Sequence, residues 1–216
     1  MPGYQVKHET HLLGDSHFEI RSLLDRQQYA DPHGAALAAG ISSAAWPLFG
    51  MIWPSARMLA NAMQTQNIAG KRILEVGCGL ALASLVIQRR LGDITASDCH
   101  PLTEGFLQEN ARLNALPRLK YQTGHWERDN PSLGQFDLII ASDVLYERHQ
   151  PAMLASFIHL HASQQADIIV LDPDRGNRNG FCREMVARGY VLDLRRAGPR
   201  QCTGEAYKGH FLNFSR

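Results

Sequence analysis

Two short stretches carry residue types whose spacing suits chemistry. In the first, Ile73-Leu74-Glu75-Val76-Gly77-Cys78-Gly79-Leu80, an apolar run passes into a glycine pair and then into a second apolar run. Glycines at a strand end reach positive φ and let backbone approach a ligand closely. Asp98 stands nineteen residues beyond Gly79, at the end of the next apolar run, where a carboxylate in a βαβ unit reaches ribose hydroxyls. A dinucleotide fingerprint begun at Gly77 needs a small third residue at 82, which is Leu82, and a phosphate loop needs a G-K-[ST] that is absent. The glycines alone still allow a tight strand-to-helix turn in some other α/β protein. The second stretch, Ser142-Asp143-Val144-Leu145-Tyr146, sets an acid and a phenol three apart, which a helical turn would place on one face. The plain reading of such a pair is an N-cap aspartate beside a half-buried tyrosine.

Positioning these residues requires alternating strands and helices, and from Lys71 onward the sequence has that pattern. Apolar runs predict strands over 72–76, 93–97, 119–123, 136–141, 167–171, 190–194 and 210–214. Three-to-four spacing of apolar residues predicts helices over 80–90, 101–113, 151–161 and 179–188. Ser55 suits the N-cap of an earlier helix reaching about Ile68, with Gly70 as its stop. The last two strands have no helix between them, which implies a terminal hairpin with the final strand antiparallel. The expected fold is therefore α/β: a doubly wound, Rossmann-like seven-stranded sheet, mostly parallel. Residues 1–50 form an N-terminal extension, with a hairpin over 4–11 and 17–24 turning at Gly14-Asp15 and then an apolar segment; residues 51–216 form the main domain.

The 216 residues are 44% hydrophobic and 20% charged, with 22 Lys+Arg against 21 Asp+Glu and a net charge of +1. This is the composition of a globular protein with one sizeable core, and it excludes disorder, collagen and coiled coil. The balanced charge gives no footprint for nucleic acid, although residues 172–216 hold nine Lys/Arg against five Asp/Glu. The stretch 34–56 lacks charge, but Pro47, Pro54, Ser42 and Ser43 interrupt it, so it reads as buried and irregular rather than as a membrane helix. Cys78, Cys99, Cys182 and Cys202 contain no C-x-x-C pair, which suggests reduced thiols and a cytoplasmic setting. His8, His11 and His17 have no carboxylate at ligand spacing, so no metal is expected.

The E-x-G-x-G run at 75–79 resembles motif I of class I S-adenosylmethionine (SAM) methyltransferases, with Ala81 in place of the usual third glycine. Three further stretches narrow the resemblance: Ile52-Trp53-Pro54-Ser55-Ala56, Gly124-His125-Trp126, and Ser142 to Tyr146. Over about residues 48–175 the chain resembles the methyltransferase-like group of protein lysine methyltransferases, with relatives once described as nicotinamide N-methyltransferase-like. No N-P-P-Y motif occurs, unlike the common exocyclic-amine DNA methyltransferases.

That resemblance implies a SAM-dependent N-methyltransferase, with protein lysine the leading acceptor and a small-molecule amine the alternative; a SAM-binding regulatory protein without turnover is the reading outside enzymology. It implies that Trp53 contacts the methionine end of SAM, that Glu75, Gly77, Cys78 and Gly79 form its cradle, and that Asp98 holds the ribose. Trp126 would pack on the adenine, with backbone near His125 meeting the ring nitrogens, and Ser142 would lie beneath the sulfonium. Asp143 would bind the incoming amine and Tyr146 would bond to it or wall its channel. His100 would be a loop residue beside the adenine, Trp46 and Phe49 would flank the target, and Asp172-Pro173-Asp174 sits at a substrate loop by location. Neither nucleic acid nor membrane is an expected partner.

Overall fold

The computed structural model describes residues 3–13, 15–128, 130–198, 200 and 204–216. Gly14, at the predicted hairpin turn, and Cys202 lie outside them. Among the described residues Cys78, Cys99 and Cys182 are free thiols, and no helix is long and apolar enough to cross a membrane.

The central sheet has seven strands: β3 (Arg72–Val76), β4 (Asp93–Asp98), β5 (Lys120–Thr123), β6 (Phe136–Ser142), β7 (Ala162–Asp172), β8 (Val191–Arg196) and β9 (His210–Ser215). Their order is β5-β4-β3-β6-β7-β9-β8. The first five are parallel, and β9 runs antiparallel to both β7 and β8. The predicted terminal antiparallel strand is therefore present, inserted between its predecessors. Chain order reverses between β3 and β6, whose ends Val76 and Ala141 are in register, so a crevice opens beyond their C-terminal ends.

Side-chain alternation along β3 explains why the sheet carries helices on both faces. Ile73 joins a core with α2 (Pro54–Ala62), α3 (Leu82–Arg89) and α4 (Thr103–Leu113), and Leu74 and Val76 join another with α5 (Gln150–His161) and α6 (Arg178–Ala187). Each of these buried side chains contributes about 1.5–3 kcal/mol relative to exposure.

The N-terminal hairpin, β1 (Val6–Leu13) and β2 (Ser16–Leu23), forms its own two-stranded sheet, with Val6 opposite Leu23. It lies over α4, and Phe18 and Ile20 are fully buried in the core shared with α2 and α3. Asn110 of α4 and Asn114, which caps that helix at its C-terminus, bond to the β2 backbone: Arg21 N donates to Asn110 Oδ1 (2.7 Å), Glu19 N to Asn114 Oδ1 (3.0 Å), and Asn114 Nδ2 to Glu19 O (2.7 Å). A helix thereby supplies partners that an edge strand otherwise lacks. The uncharged segment that follows holds α1 (Ala35–Ala38) and a 3₁₀ turn, Trp46–Gly50.

Element boundaries depart from the sequence-based expectation, with a traceable cause, around Ser55, at the end of α2 and at the start of β7. Ser55 is not an N-cap: Pro54 opens α2, and the buried Ser55 hydroxyl bonds to the Tyr207 hydroxyl (2.9 Å). That helix ends at Ala62 rather than near Ile68, because i to i−3 bonds tighten the chain over 64–65 and the Arg90 guanidinium takes the Met63 carbonyl. In the opposite direction, β7 begins at Ala162 rather than Asp167, since a register shift lets Phe136 pair with Ala162 before the regular ladder starts.

Candidate active site

The glycine turn closes the β3 end with three positive φ values: 60° at Gly77, 50° at Gly79 and 56° at Ala81, where the usual third glycine is replaced. Ala81 holds the left-handed position as the cap of α3, so that helix starts at Leu82 rather than Leu80. A Cβ on Gly79 would stand 2.9 Å from the Phe49 carbonyl oxygen, and one on Gly77 would stand 2.8 Å from Val144 and 3.5 Å from the Trp126 ring. The glycines are thus required by φ and by close neighbours together. Trp126, Val144 and the 3₁₀ turn all converge on this loop.

Glu75 does not face the crevice. It is 2% exposed and accepts from Ser84 N (2.8 Å) and Ser84 Oγ (2.5 Å). Burial pushes its carboxyl up to about 7. The placement of Glu75 against SAM is therefore corrected: it ties the end of β3 to the first turn of α3 and supports the cradle from behind. Cys78 is buried, with its N–H on Ser97 O (3.1 Å), and burial beside Asp98 raises its thiol well above the usual range, so it stays protonated.

Asp98 closes the other side. Its Oδ2 accepts from Gly79 N and its Oδ1 from His100 N, both at 2.9 Å. Burial raises its pKa despite those bonds. Backbone N–H groups take only part of its acceptor capacity, and the remaining lone pairs suit a ribose diol. His100 is 3% exposed and stacked under Phe49, centroids 3.8 Å apart at 14°, and burial drives its imidazole down to about 4, so it is neutral. Trp46 stands edge-on to both rings and is 1% exposed. Trp46 and Phe49 therefore do not flank an acceptor; they pack as an aromatic base beneath the glycine turn. Trp53 is partly exposed, and its indole N–H donates to Leu48 O (2.9 Å), which locks the ring to that turn.

The loop after β5 brings His125 and Trp126 to the crevice. The backbone of His125 itself is occupied: its N–H donates to Asn130 Oδ1 (3.2 Å) and its carbonyl accepts from Asn130 Nδ2 (2.9 Å). Asn130, buried and also bonded to Arg128 O (2.6 Å), shapes this loop; a lone asparagine in a polar stretch gave no sequence signal.

After β6 the chain forms no helical turn, so Asp143 and Tyr146 do not share a helix face. Asp143 instead sits at φ 57° with its N–H on Leu171 O (2.9 Å), and α5 is capped by His149. A positive φ on aspartate is a strained conformation that surrounding structure must hold. Ser142 precedes it, in register with Leu171. The Asp143 side chain is 8% exposed and paired with Arg175, Nε to Oδ1 2.6 Å, while Tyr146 is 45% exposed at the rim. Arg175 is fixed at its own backbone by Asp172, whose Oδ1 accepts Arg175 N (2.8 Å). Burial, with the Asp143 charge adding to it, lifts Asp172 to about 6. Arg175 was absent from the sequence-based site, although the Asp172-Pro173-Asp174 loop just before it had been noted.

The ends of β3, β4, β5 and β6 therefore surround one crevice, with a ribose-suited acid on one side and an amine-suited acid on the other. Over residues 43–185 the chain matches the family described as lysine methyltransferase. It belongs to that family. Calmodulin-lysine N-methyltransferase of Arabidopsis thaliana is 28% identical to this lysine methyltransferase family member over 155 residues, 65% of this chain and 51% of that protein. EEF1A lysine methyltransferase 3 of Mus musculus is 28% identical over 151 residues, 66% of this chain and 64% of that protein. Histone-arginine methyltransferase METTL23 of Rattus norvegicus is 30% identical over 107 residues, covering 46% and 48%. The chain thus spans about half to two-thirds of the length of these relatives. The fold agrees with that of the ribosomal protein L11 methylase of Lactobacillus delbrueckii (TM-score 0.60, 19% identity, 75% and 78% covered). It also agrees with the magnesium protoporphyrin IX methyltransferase of Synechocystis solved with SAM (TM-score 0.58, 17% identity, 76% and 80% covered).

Proposed function

We propose that this lysine methyltransferase family member transfers a methyl group from SAM to the side-chain nitrogen of a lysine in another protein. The observation that carries this reading is the pairing of a cofactor cradle, Gly77 to Gly79 with Asp98, and a recessed acid, Asp143, across one crevice. The cradle fits SAM: the space beside Gly77 and Gly79 is kept by the lack of a Cβ, Asp98 retains acceptor capacity, and Trp126 presents an aromatic surface at the turn. Trp53 and Ser142 lie at the ends of the elements that border it.

When bound, SAM supplies a sulfonium methyl open to in-line attack by a neutral amine, leaving a thioether. The chain itself has to draw in the amine, align it and exclude water. Asp143 attracts the ammonium, which takes the position that the Arg175 guanidinium holds in the resting structure. Because a carboxylate favours the charged amine, Asp143 binds and orients, and the proton leaves before attack rather than being drawn off by this acid. Tyr146, at the rim, walls the aliphatic stem of the lysine. The free thiols fit a reducing compartment, and we place the protein in the cytoplasm.

Asp143→Ala tests this reading. The variant binds S-adenosylhomocysteine as the wild type does in calorimetry, and its methyl transfer to protein falls by roughly 100-fold or more, as expected for loss of a positioning group. Retained turnover would remove Asp143 from the mechanism.

A further inference from the structure

A cleft of about 490 Å³ opens between the first turns of α5 and α6, apart from the glycine turn, with Arg148, His149, Gly176, Asn177, Gly180 and Arg183 among its walls. It adjoins the loops that bear Asp143, Tyr146 and Arg175. Arg148 and His149 follow Tyr146 by two and three residues, Gly176 follows Arg175, and Asn177 Nδ2 donates to Leu145 O (3.0 Å), tying one wall to the loop that bears Asp143 and Tyr146. The floor is open: a Cβ on Gly176 would meet nothing within 4 Å, and one on Gly180 would make only ordinary contact with Pro151 at 3.7 Å.

The charges of this cleft are not balanced. Three acids near it are each held by an arginine: Glu184 by Arg188 (2.6 Å), Asp174 by Arg178, and Asp143 by Arg175, while Glu147 lies 3.3 Å from the His149 ring. Arg148 and Arg183 are both exposed, and among the described residues neither has an ion-pair or hydrogen-bond partner. Glu184 also lines the cleft but is held by Arg188, so two free guanidiniums face this space with no free carboxylate of its own lining, an arrangement that suits carboxylates from outside.

We propose that this cleft reads acidic side chains flanking the acceptor lysine, so that the substrate is a polypeptide whose target lysine lies in an acidic stretch. The inference rests on the methyl-transfer reading above for where the lysine enters. A lysine reaching Asp143 past Tyr146 lays its sequence neighbours along the cleft, and carboxylates there meet Arg148 and Arg183. A small amine has no second part to fill this space. The two arginines are specificity residues: they leave cofactor binding and the transfer step untouched and act on acceptor affinity.

Two twelve-residue peptides with one central lysine, flanked either by aspartates or by serines, test the proposal on the full chain. The wild type is expected to show about tenfold higher kcat/KM for the aspartate peptide at low salt, as two partly exposed ion pairs provide, and that preference collapses near 0.5 M NaCl. In Arg148→Ala/Arg183→Ala the aspartate peptide falls to the serine level through KM, and affinity for S-adenosylhomocysteine is unchanged. Fluorescence anisotropy of the labelled peptides with S-adenosylhomocysteine present gives the same comparison without turnover. If neither peptide is methylated yet the aspartate peptide binds in an arginine-dependent manner, the cleft stands and the methyl-transfer reading is what fails. Equal binding of both peptides to the wild type, or an equal loss of both in the double variant, overturns the proposal.

Discussion

Glu75 and Asp98 are two carboxylates on neighbouring strands, and burial lifts both, yet their environments assign them different work. Glu75 is enclosed by Ser84, and Asp98 stands partly open at the turn. The folded value for Glu75, about 7, lies above the 4.5 of an exposed carboxyl. Between those values the folded chain keeps a proton that the unfolded chain has released, so the contribution of this group to stability falls as pH rises through that window. Glu75→Gln keeps an acceptor for Ser84 and removes the titration. Its melting temperature should gain on the wild type between pH 5 and pH 8, by roughly 5 °C, as followed by circular dichroism; an equal difference at both pH values would contradict the assignment. Asp98→Asn should weaken S-adenosylhomocysteine binding by about tenfold or more in calorimetry, because a charge-assisted bond to the ribose becomes a neutral one. Unchanged affinity would take Asp98 off the cofactor. The glycine turn and Asp98 were legible from sequence because strand, glycine and acid are local signals at fixed spacing. The direction of the Glu75 side chain was not, since it depends on Ser84 coming over the sheet from the following helix.

At the scale of elements, the strands were read closely because each is a short apolar run between polar breaks, and their faces follow from simple alternation. Boundaries were lost where a distant partner decides them. Ser55 has the chemistry of a cap but is held by Tyr207, 152 positions away, and β7 gains its first residues from pairing with Phe136 rather than from any apolar signal of its own. The turn expected over 143–146 failed for a related reason: the Asp143 N–H is taken by Leu171 and its carboxylate by Arg175, so the backbone stays in the left-handed region instead of winding into α5. The N-terminal hairpin depends on α4. Asn110→Ala removes the acceptor of Arg21 N–H and should lower stability by roughly 1–3 kcal/mol in urea unfolding, with S-adenosylhomocysteine affinity retained. No loss of stability would mean that Asn110 does not help to hold the hairpin.

Across the whole molecule, the reversal of strand order between β3 and β6 sets the glycine turn and Asp143 on opposite lips of one crevice. Neither lip is complete alone. The Phe49 carbonyl of the 3₁₀ turn leaves no room for a side chain at Gly79, and Asp143 is paired with Arg175 from the loop after β7, 32 positions on. That second dependence was invisible in the sequence, because nothing local marks an arginine as the resting partner of a distant acid. It also makes Arg175 a competitor for the acceptor: Arg175→Gln should lower KM for a lysine acceptor about two- to fivefold, the scale of a partly exposed ion pair, while S-adenosylhomocysteine affinity stays constant. A raised KM would show that Arg175 helps to hold the acceptor instead. The central claim, transfer from SAM to the lysine side chain of a protein, is tested most directly by incubating the chain with methyl-labelled SAM and a cell lysate, hydrolysing the labelled protein, and identifying the methylated amino acid. The account predicts methyl-lysine from the wild type and none from Asp143→Ala. Label recovered in methyl-arginine, or confined to small molecules, would contradict it.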